Sequence, residues 1–429
     1  MDTRTAHALI RFGLGHRGTE PPPDDPAAGL RAQLQAADPA PPGPSAADGL
    51  AALRADRDNR GDPERPKLVP PILQQDIAAF ATQAVTTAAP FRERLAWFWS
   101  NHFTISLRGG PVAAVAGAFV REAIRPHVTG RFGDMLLAVM RHPAMLMYLD
   151  NAQSVGPASP VGQRTQRGLN ENLARECLEL HTVGADAGYT QADVTSFARI
   201  ITGWSVELKQ EPLGFRFRPM VHEPGAKTVM GRSFPEGEQG GVEALAFLAN
   251  HPATHRHLAT KLVRHFAADD PPPDAVRRVE WVLRDSGGDL GAAALALVEL
   301  HACWTPLAKL RSPQDYVVAV FRASGVAVDA TAPVTNAIAG LGQPAWAAPF
   351  PIGWPDRAAD WSGPEAMMRR IDWCYSASSR FFPNVDEQAV AEAGLGPLLS
   401  AGTALAIRRA GSRSDALTLL FASPEFQRR

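Results

Sequence analysis

Apolar residues recur at three- and four-residue spacing along most of this chain, the period of helices that turn one face to a core. The pattern predicts helices near 70–88, 91–106, 112–125, 170–183, 191–203, 242–267, 274–285, 289–301 and 364–376. Strictly alternating runs, the mark of half-buried strands, are few. Between 205 and 240 the period changes. Phe215 and Phe217 alternate with Arg216, then Pro, Gly and Lys precede a short apolar run at 228–230, so a small β-hairpin or loop insert is expected there. A second break, near 342–363, sets Trp346, Trp354 and Trp361 among prolines and glycines. It is too aromatic for a free linker and reads as an irregular Trp/Pro-rich segment packed back onto the helices. The fold class that follows is mainly α, a large multi-helix globular fold.

Prolines at 21–23 and around 39–44 flank Ala-rich stretches, which divides the chain into an N-terminal helical arm with Pro-rich linkers, 1–66, and a main helical domain, 67–429. The 43 Lys plus Arg nearly cancel the 44 Asp plus Glu, so no overall field favours nucleic acid or an anionic membrane, and partners must be recognised locally. Cys177, Cys303 and Cys374 form no C-x-x-C pair and read as buried, reduced hydrophobes. The first 20 residues lack a basic head followed by an apolar run, and no stretch is long and apolar enough to span a bilayer. The expectation is a cytoplasmic protein, with co-export beside a partner carrying its own signal as the alternative.

The richest chemistry lies in 170–204, NENLARECLELHTVGADAGYTQADVTSFARIITGW. Each helical residue turns the face by roughly 100°, so Asn172, Glu176 and Glu179 share one stripe, with Arg175 at its edge and Glu171 beyond. Leu169, Leu173, Cys177 and Leu180 form the apolar arc. In a regular helix His181 points away from the carboxylates, and Gly184 caps the end with His181 in the last turn. Thr190 and Asp193 form a capping-box variant opening the next helix, from which Arg199 could reach back. The stripe is either a solvated face in which Glu171 and Glu179 pair with Arg175, or a cleft in which Glu176 and Glu179 act as acid and base or ligate a hard cation.

His102 falls within the apolar stripe of Phe91, Leu95, Phe98, Trp99 and Ile105, so it should face the interior and be held neutral by burial, with Asn101 beside it. His222 and Lys227 lie in HEPGAK, where Gly225 permits a tight reversal. From 251–254 a helix should carry Leu258, Ala259, Leu262 and Phe266 inward and Lys261, Arg264 and His265 outward, where the cations meet an anionic group or form a solvated face. No P-loop, dinucleotide fingerprint, H-E-x-x-H or G-x-S-x-G occurs.

The blocks FWSNHF (98–103), NENLARECLELHTVG (170–184), YTQADVTSFARIITGW (189–204), HEPGAKTVMG (222–231), HPATHRHLATKLVRHF (251–266) and PIGWPDRAADW (351–361) together resemble the bacterial domain of unknown function family 1800, over most of the chain. Cys177, where the family usually has an aliphatic residue, and Glu223, where Asp is common, are small departures. The resemblance implies a mostly helical fold, gives weight to the polar residues of the blocks and implies no reaction. It also implies a neighbour, since members are often encoded beside a sulfatase-like protein of family 1501.

The expectation is an enzyme, hydrolytic and divalent-metal-dependent. Its catalytic candidates are Glu176, Glu179, His102, Arg175 and Arg199, and its substrate-binding candidates are Asn101, Asn172, His222, Lys227 and Trp204. The metal candidates are Glu176, Glu179, His102 and His222. The competing expectation is a non-catalytic partner or assembly factor of the sulfatase-like neighbour, docking through the Trp-rich segment.

Overall fold

The computed structural model describes residues 1–18, 20–59, 62, 64–108, 111–326 and 332–429. Helix accounts for 60% of it, and the strands among the described residues make two small antiparallel hairpins, β1 (Trp204–Glu207) with β2 (Gly214–Phe217) and β3 (Lys227–Val229) with β4 (Arg232–Phe234). Both fall in the insert expected from the sequence, as a pair of hairpins rather than one. The predicted helices at 70–88, 274–285 and 289–301 appear as Val69–Thr86, Pro273–Asp285 and Leu290–Glu299. No helix among the described residues is long and apolar enough to cross a membrane.

Where the pattern and the structure differ, local chemistry supplies the reason. The long run expected at 242–267 is two helices, Glu238–Ala249 and Pro252–Phe266. Pro252 has no N–H to continue the ladder, and the His251 ring accepts the Ala253 N–H at 3.2 Å as the cap of a new helix. The stretch expected as one helix at 112–125 is a chain of short turns, ending in a π-helical turn Val120–Ile124 and a 3-10 turn Arg125–His127. Its cations are drawn to buried acids, Arg121 to Asp76 at 2.7 Å and Arg125 to Glu93 and Asp38 at 2.8 Å each. The helix Pro313–Ser324 (PQDYVVAVFRAS), outside the expected set, is buried along nearly its whole length, Asp315 and Arg322 included.

Two clusters of buried apolar side chains form the core. One runs through Leu95, Trp99, Phe132, Leu173, Leu258 and their neighbours. The other gathers Tyr316, Phe321, Cys374, Phe382, Leu420 and Phe426. Residues 1–66, expected as an arm, contribute Ala8, Phe12, Leu30, Leu34, Ala46 and Leu50 to the first cluster. Arg11, fully buried, donates to the carbonyls of Phe266, Ala267 and Thr305 at 3.1, 2.9 and 2.8 Å, so this segment is packed into the helical body. The three cysteines are free and buried.

Candidate functional site

A cavity of about 440 Å³ opens where the two core clusters approach each other, within the size range of small-molecule sites. Its wall on one side is the helix Pro90–His102, which presents Trp97, Phe98, Asn101 and His102. On another it is Pro252–Phe266, whose Leu258, Ala259, Leu262, Val263 and Phe266 enter the core while His257, Lys261, Arg264 and His265 form the opposite stripe. The inward and outward assignment made from the sequence is right, but the outward stripe faces this cavity rather than bulk water.

The Trp-rich segment is the roof, contributing Trp346, Ile352, Trp354 and Asp356. It packs back on the helices as its composition predicts. Asn101 fixes it at two points, donating from Nδ2 to the Trp354 carbonyl at 2.9 Å and accepting the Trp354 N–H on Oδ1 at 2.7 Å. Ser106 Oγ donates to the Ala348 carbonyl and Leu107 N to the Trp346 carbonyl, at 2.8 and 2.7 Å. Asn101 therefore positions the roof, which is a more specific task than the substrate contact expected of it.

Around the cavity nearly every charge is matched. Asp76 is paired with Arg121 and Glu93 with Arg125, while Asp315 lies between Arg94 (2.8 Å) and Arg429 (3.2 Å). Asp356 accepts from His265 Nδ1 at 3.1 Å and is flanked by Lys309 and Arg429 at 3.7 and 3.8 Å. Burial alone would oppose its ionisation, but the His265 hydrogen bond and these cations hold its carboxyl well below the usual range. His265 is itself pushed down to about 4 by desolvation, which outweighs the opposing pull of Asp356 and is reinforced by Arg429 and Arg94, so the pair is a neutral ring donating to a carboxylate.

Two cations stand outside this matching. Arg264 spends only Nε, on the Asp269 carbonyl at 3.3 Å, and its terminal nitrogens have no hydrogen-bond partner among the described residues. Lys261 has neither hydrogen bond nor ion pair among them. Its surface is part-open, yet what it opens onto is the cavity. Desolvation pushes its amine down to about 8, with Asp356 opposing and Arg264 adding to the shift. His257 donates from Nε2 to the Leu180 carbonyl at 3.0 Å, and burial with Lys261 nearby takes it down to about 4.

The carboxylate helix reaches the cavity through Leu180. It is α-helical only over Asn172–Glu176, then widens into a π-helical turn, Cys177–His181, so the regular geometry assumed from the sequence does not hold. Glu176 and Glu179 are half-buried, do not line the cavity and have no hydrogen bond or ion pair among the described residues. Burial, with the charge of Glu179 behind it, pushes the Glu176 carboxyl up. Arg175 pairs with Glu171 at 3.1 Å and donates to Gln191 at 2.9 Å, and Glu171 also accepts from Thr195 at 2.6 Å. That half of the stripe ties two helices together, whereas Glu179, expected to share Arg175, does not. Asn172 is exposed. Arg199 is exposed and turns to Glu223 at 4.0 Å instead of reaching the carboxylates.

The histidines divide. His102 faces the interior and burial holds it neutral, its Nε2 donating to the His181 carbonyl at 3.1 Å. His181, expected as a favoured cation at the helix end, is fully buried and pushed down to about 3, hence neutral. Gly184 does cap that end, with φ +86° and its N–H on the Leu178 carbonyl at 3.0 Å. His222 donates from Nδ1 to the Thr202 carbonyl at 2.8 Å and accepts the Gly237 N–H on Nε2 at 2.9 Å. Both its nitrogens are thus engaged, the Nε2 lone pair by the Gly237 N–H. Lys227 donates to the Glu223 carbonyl and Glu223 accepts the Ala158 N–H at 2.8 Å, so HEPGAK locks a turn. Trp204 is fully buried, edge-on to Phe215 and against Gly241, and cannot touch a substrate. Among the described residues no three His, Cys, Asp or Glu side chains gather closely enough to hold a metal ion.

Residues 7–428 match the family model described as protein of unknown function (DUF1800). The chain belongs to the DUF1800 family. No curated protein and no solved structure matches it. In this DUF1800 chain the polar blocks that carry the resemblance thus serve two ends. FWSNHF, HPATHRHLATKLVRHF and PIGWPDRAADW meet at the cavity, NENLARECLELHTVG touches it through Leu180, and HEPGAKTVMG braces elements away from it. The sequence marks Lys261 and Arg264 as cations that meet an anion or form a solvated face, not as site candidates, and it singles out neither His257 nor Asp356. The signal that could have raised Lys261 is scarcity, because only five of the 43 basic residues are lysines.

Proposed function

We propose that the cavity is the working site of this protein and that its ligand is a small organic anion with an apolar body. The observation that supports this reading is the pair Lys261 and Arg264, two cations on the wall without an ion-pair partner among the described residues, in a cavity whose buried acids are matched. Phe98, Trp346 and Trp354 supply flat apolar surface for the rest of the ligand. A guanidinium with free terminal nitrogens suits a carboxylate or a related oxyanion. Metal-assisted hydrolysis on the carboxylate helix has less support, since Glu176 and Glu179 lie off the cavity and His222 is fully engaged.

Calorimetric titration with benzoate tests this. Arg264→Met should weaken binding about tenfold or more, the loss of one charge-assisted contact. Glu176→Gln should leave the isotherm unchanged. Binding lost in Glu176→Gln and kept in Arg264→Met would return the site to the carboxylate helix.

A second reading draws on a different observation. Phe350 and Ile352, on the roof segment, are 66% and 59% exposed. Large apolar side chains so placed suit a protein partner, and the sulfatase-like neighbour of family 1501 is the candidate. The pair should co-elute in size exclusion, and Phe350→Asp should separate them. Independent elution of the unaltered proteins would remove this reading.

A further inference from the structure

We propose that Lys261 is a nucleophilic amine that condenses with the carbonyl group of a small oxo acid held in the cavity, forming an imine. This rests on the cavity being an organic-anion site, and it names the substrate class. Of the five lysines, Lys67 and Lys209 are exposed, and Lys227 and Lys309 spend their ammonium groups on backbone carbonyls. Lys261 is the one turned into the cavity without a partner among the described residues. Several of the fixed buried cations are Arg, as at Arg94, Arg125 and Arg429, and the buried lysine that plays that part, Lys309, is tied to Asp269 and Asp356. Lysine differs in that its amine can lose the proton and attack carbon.

Arg264 follows Lys261 by three residues on the same helix, which places the two side chains about 5–6 Å apart at Cβ. That spacing fits a carboxylate next to or near a carbonyl group. The free amine adds to the carbonyl carbon to give a carbinolamine. The nitrogen's two protons leave with the carbonyl oxygen as water, and the C=N bond replaces the C=O bond without any change of oxidation state. The groups facing the amine are Asp356 from the roof, His102 and His257 from the walls, His181 behind them and Arg264 on its own helix. The three rings are neutral, so Asp356 is the negative charge that opposes deprotonation, and burial together with Arg264 promotes it.

The test is reductive trapping with phenylpyruvate, an aromatic 2-oxo acid, and sodium cyanoborohydride, followed by intact mass and peptide mapping. One adduct is expected at Lys261, forming faster as pH rises through about 8 and lost in Lys261→Arg. Absence of the adduct, or labelling confined to exposed Lys67 and Lys209, overturns the imine. Benzoate titration of the unaltered protein separates the two failures. Benzoate binding without trapping overturns the amine chemistry alone, and loss of both overturns the cavity reading as well.

Discussion

Asp315→Asn should destabilise the protein by about 3–5 kcal/mol, the cost of leaving buried charge without its counter-ion. Asp315 is 8% exposed and forms ion pairs with Arg94 at 2.8 Å and Arg429 at 3.2 Å, each of them 2% exposed. An amide can accept from one guanidinium but turns N–H groups towards the other. Urea unfolding of the two proteins measures the difference, and a change under about 1 kcal/mol would mean that water reaches the arginines. The same carboxylate predicts an acid limb. Desolvation opposes its ionisation, but Arg94 and Arg429 hold its pKa well below the unfolded value. Its stabilisation is therefore present above the unfolded carboxylate range and is lost as pH falls through the folded pKa. In Asp315→Asn that part of the acid dependence should be missing, while the part due to Asp356 remains.

This network also explains why the site was only partly legible. Local period and proline punctuation carry helix positions, so Val69–Thr86, Pro273–Asp285 and Leu290–Glu299 could be read directly. Depth of burial is not in that period, and Pro313–Ser324, at the middle of the second core cluster with its polar Asp315 and Arg322 buried too, is not among the helices expected. The cavity is assembled from segments as distant as Asn101 and Trp354, or His265 and Asp356. Charges cluster densely in 170–184, and density drew the sequence-based site there. Yet a charge on a helix face becomes a site through what lies opposite it. For Arg175 that is Glu171 and Gln191, and for Lys261 it is open volume under a Trp-rich roof.

Between these two cases lies a distinction that the geometry makes physical. A polar group whose hydrogen bonds are complete is held in one place and one protonation state, as His222 is by Thr202 and Gly237. Such groups set the shape of the protein. A group facing a cavity with its capacity unspent is available to a ligand, and Lys261 and Arg264 are of this kind. Both kinds occur within the blocks that mark the family, so membership alone does not separate them.

Gly353→Ala should lower stability by roughly 2–5 kcal/mol and abolish benzoate binding together. Gly353 has φ +86°, a conformation that costs an L-residue about 1–2 kcal/mol. A Cβ there would lie 2.5 Å from the Asn101 carbonyl oxygen, 2.6 Å from its Oδ1 and 2.7 Å from Thr104 Oγ1. None of these can give way cheaply. The carbonyl accepts from Thr104 Oγ1 at 2.7 Å, and Oδ1 holds the Trp354 N–H. Overpacking of this kind costs a further ~1–3 kcal/mol, relieved only if the roof lifts from Asn101. Gly188→Ala is the control, because Gly188 has φ +79° but nothing within 4 Å of its Cβ position. It should show the conformational cost alone and keep benzoate binding. Equal losses in the two variants would mean that the roof is not held at Asn101, and that the cavity beneath it does not depend on that clasp.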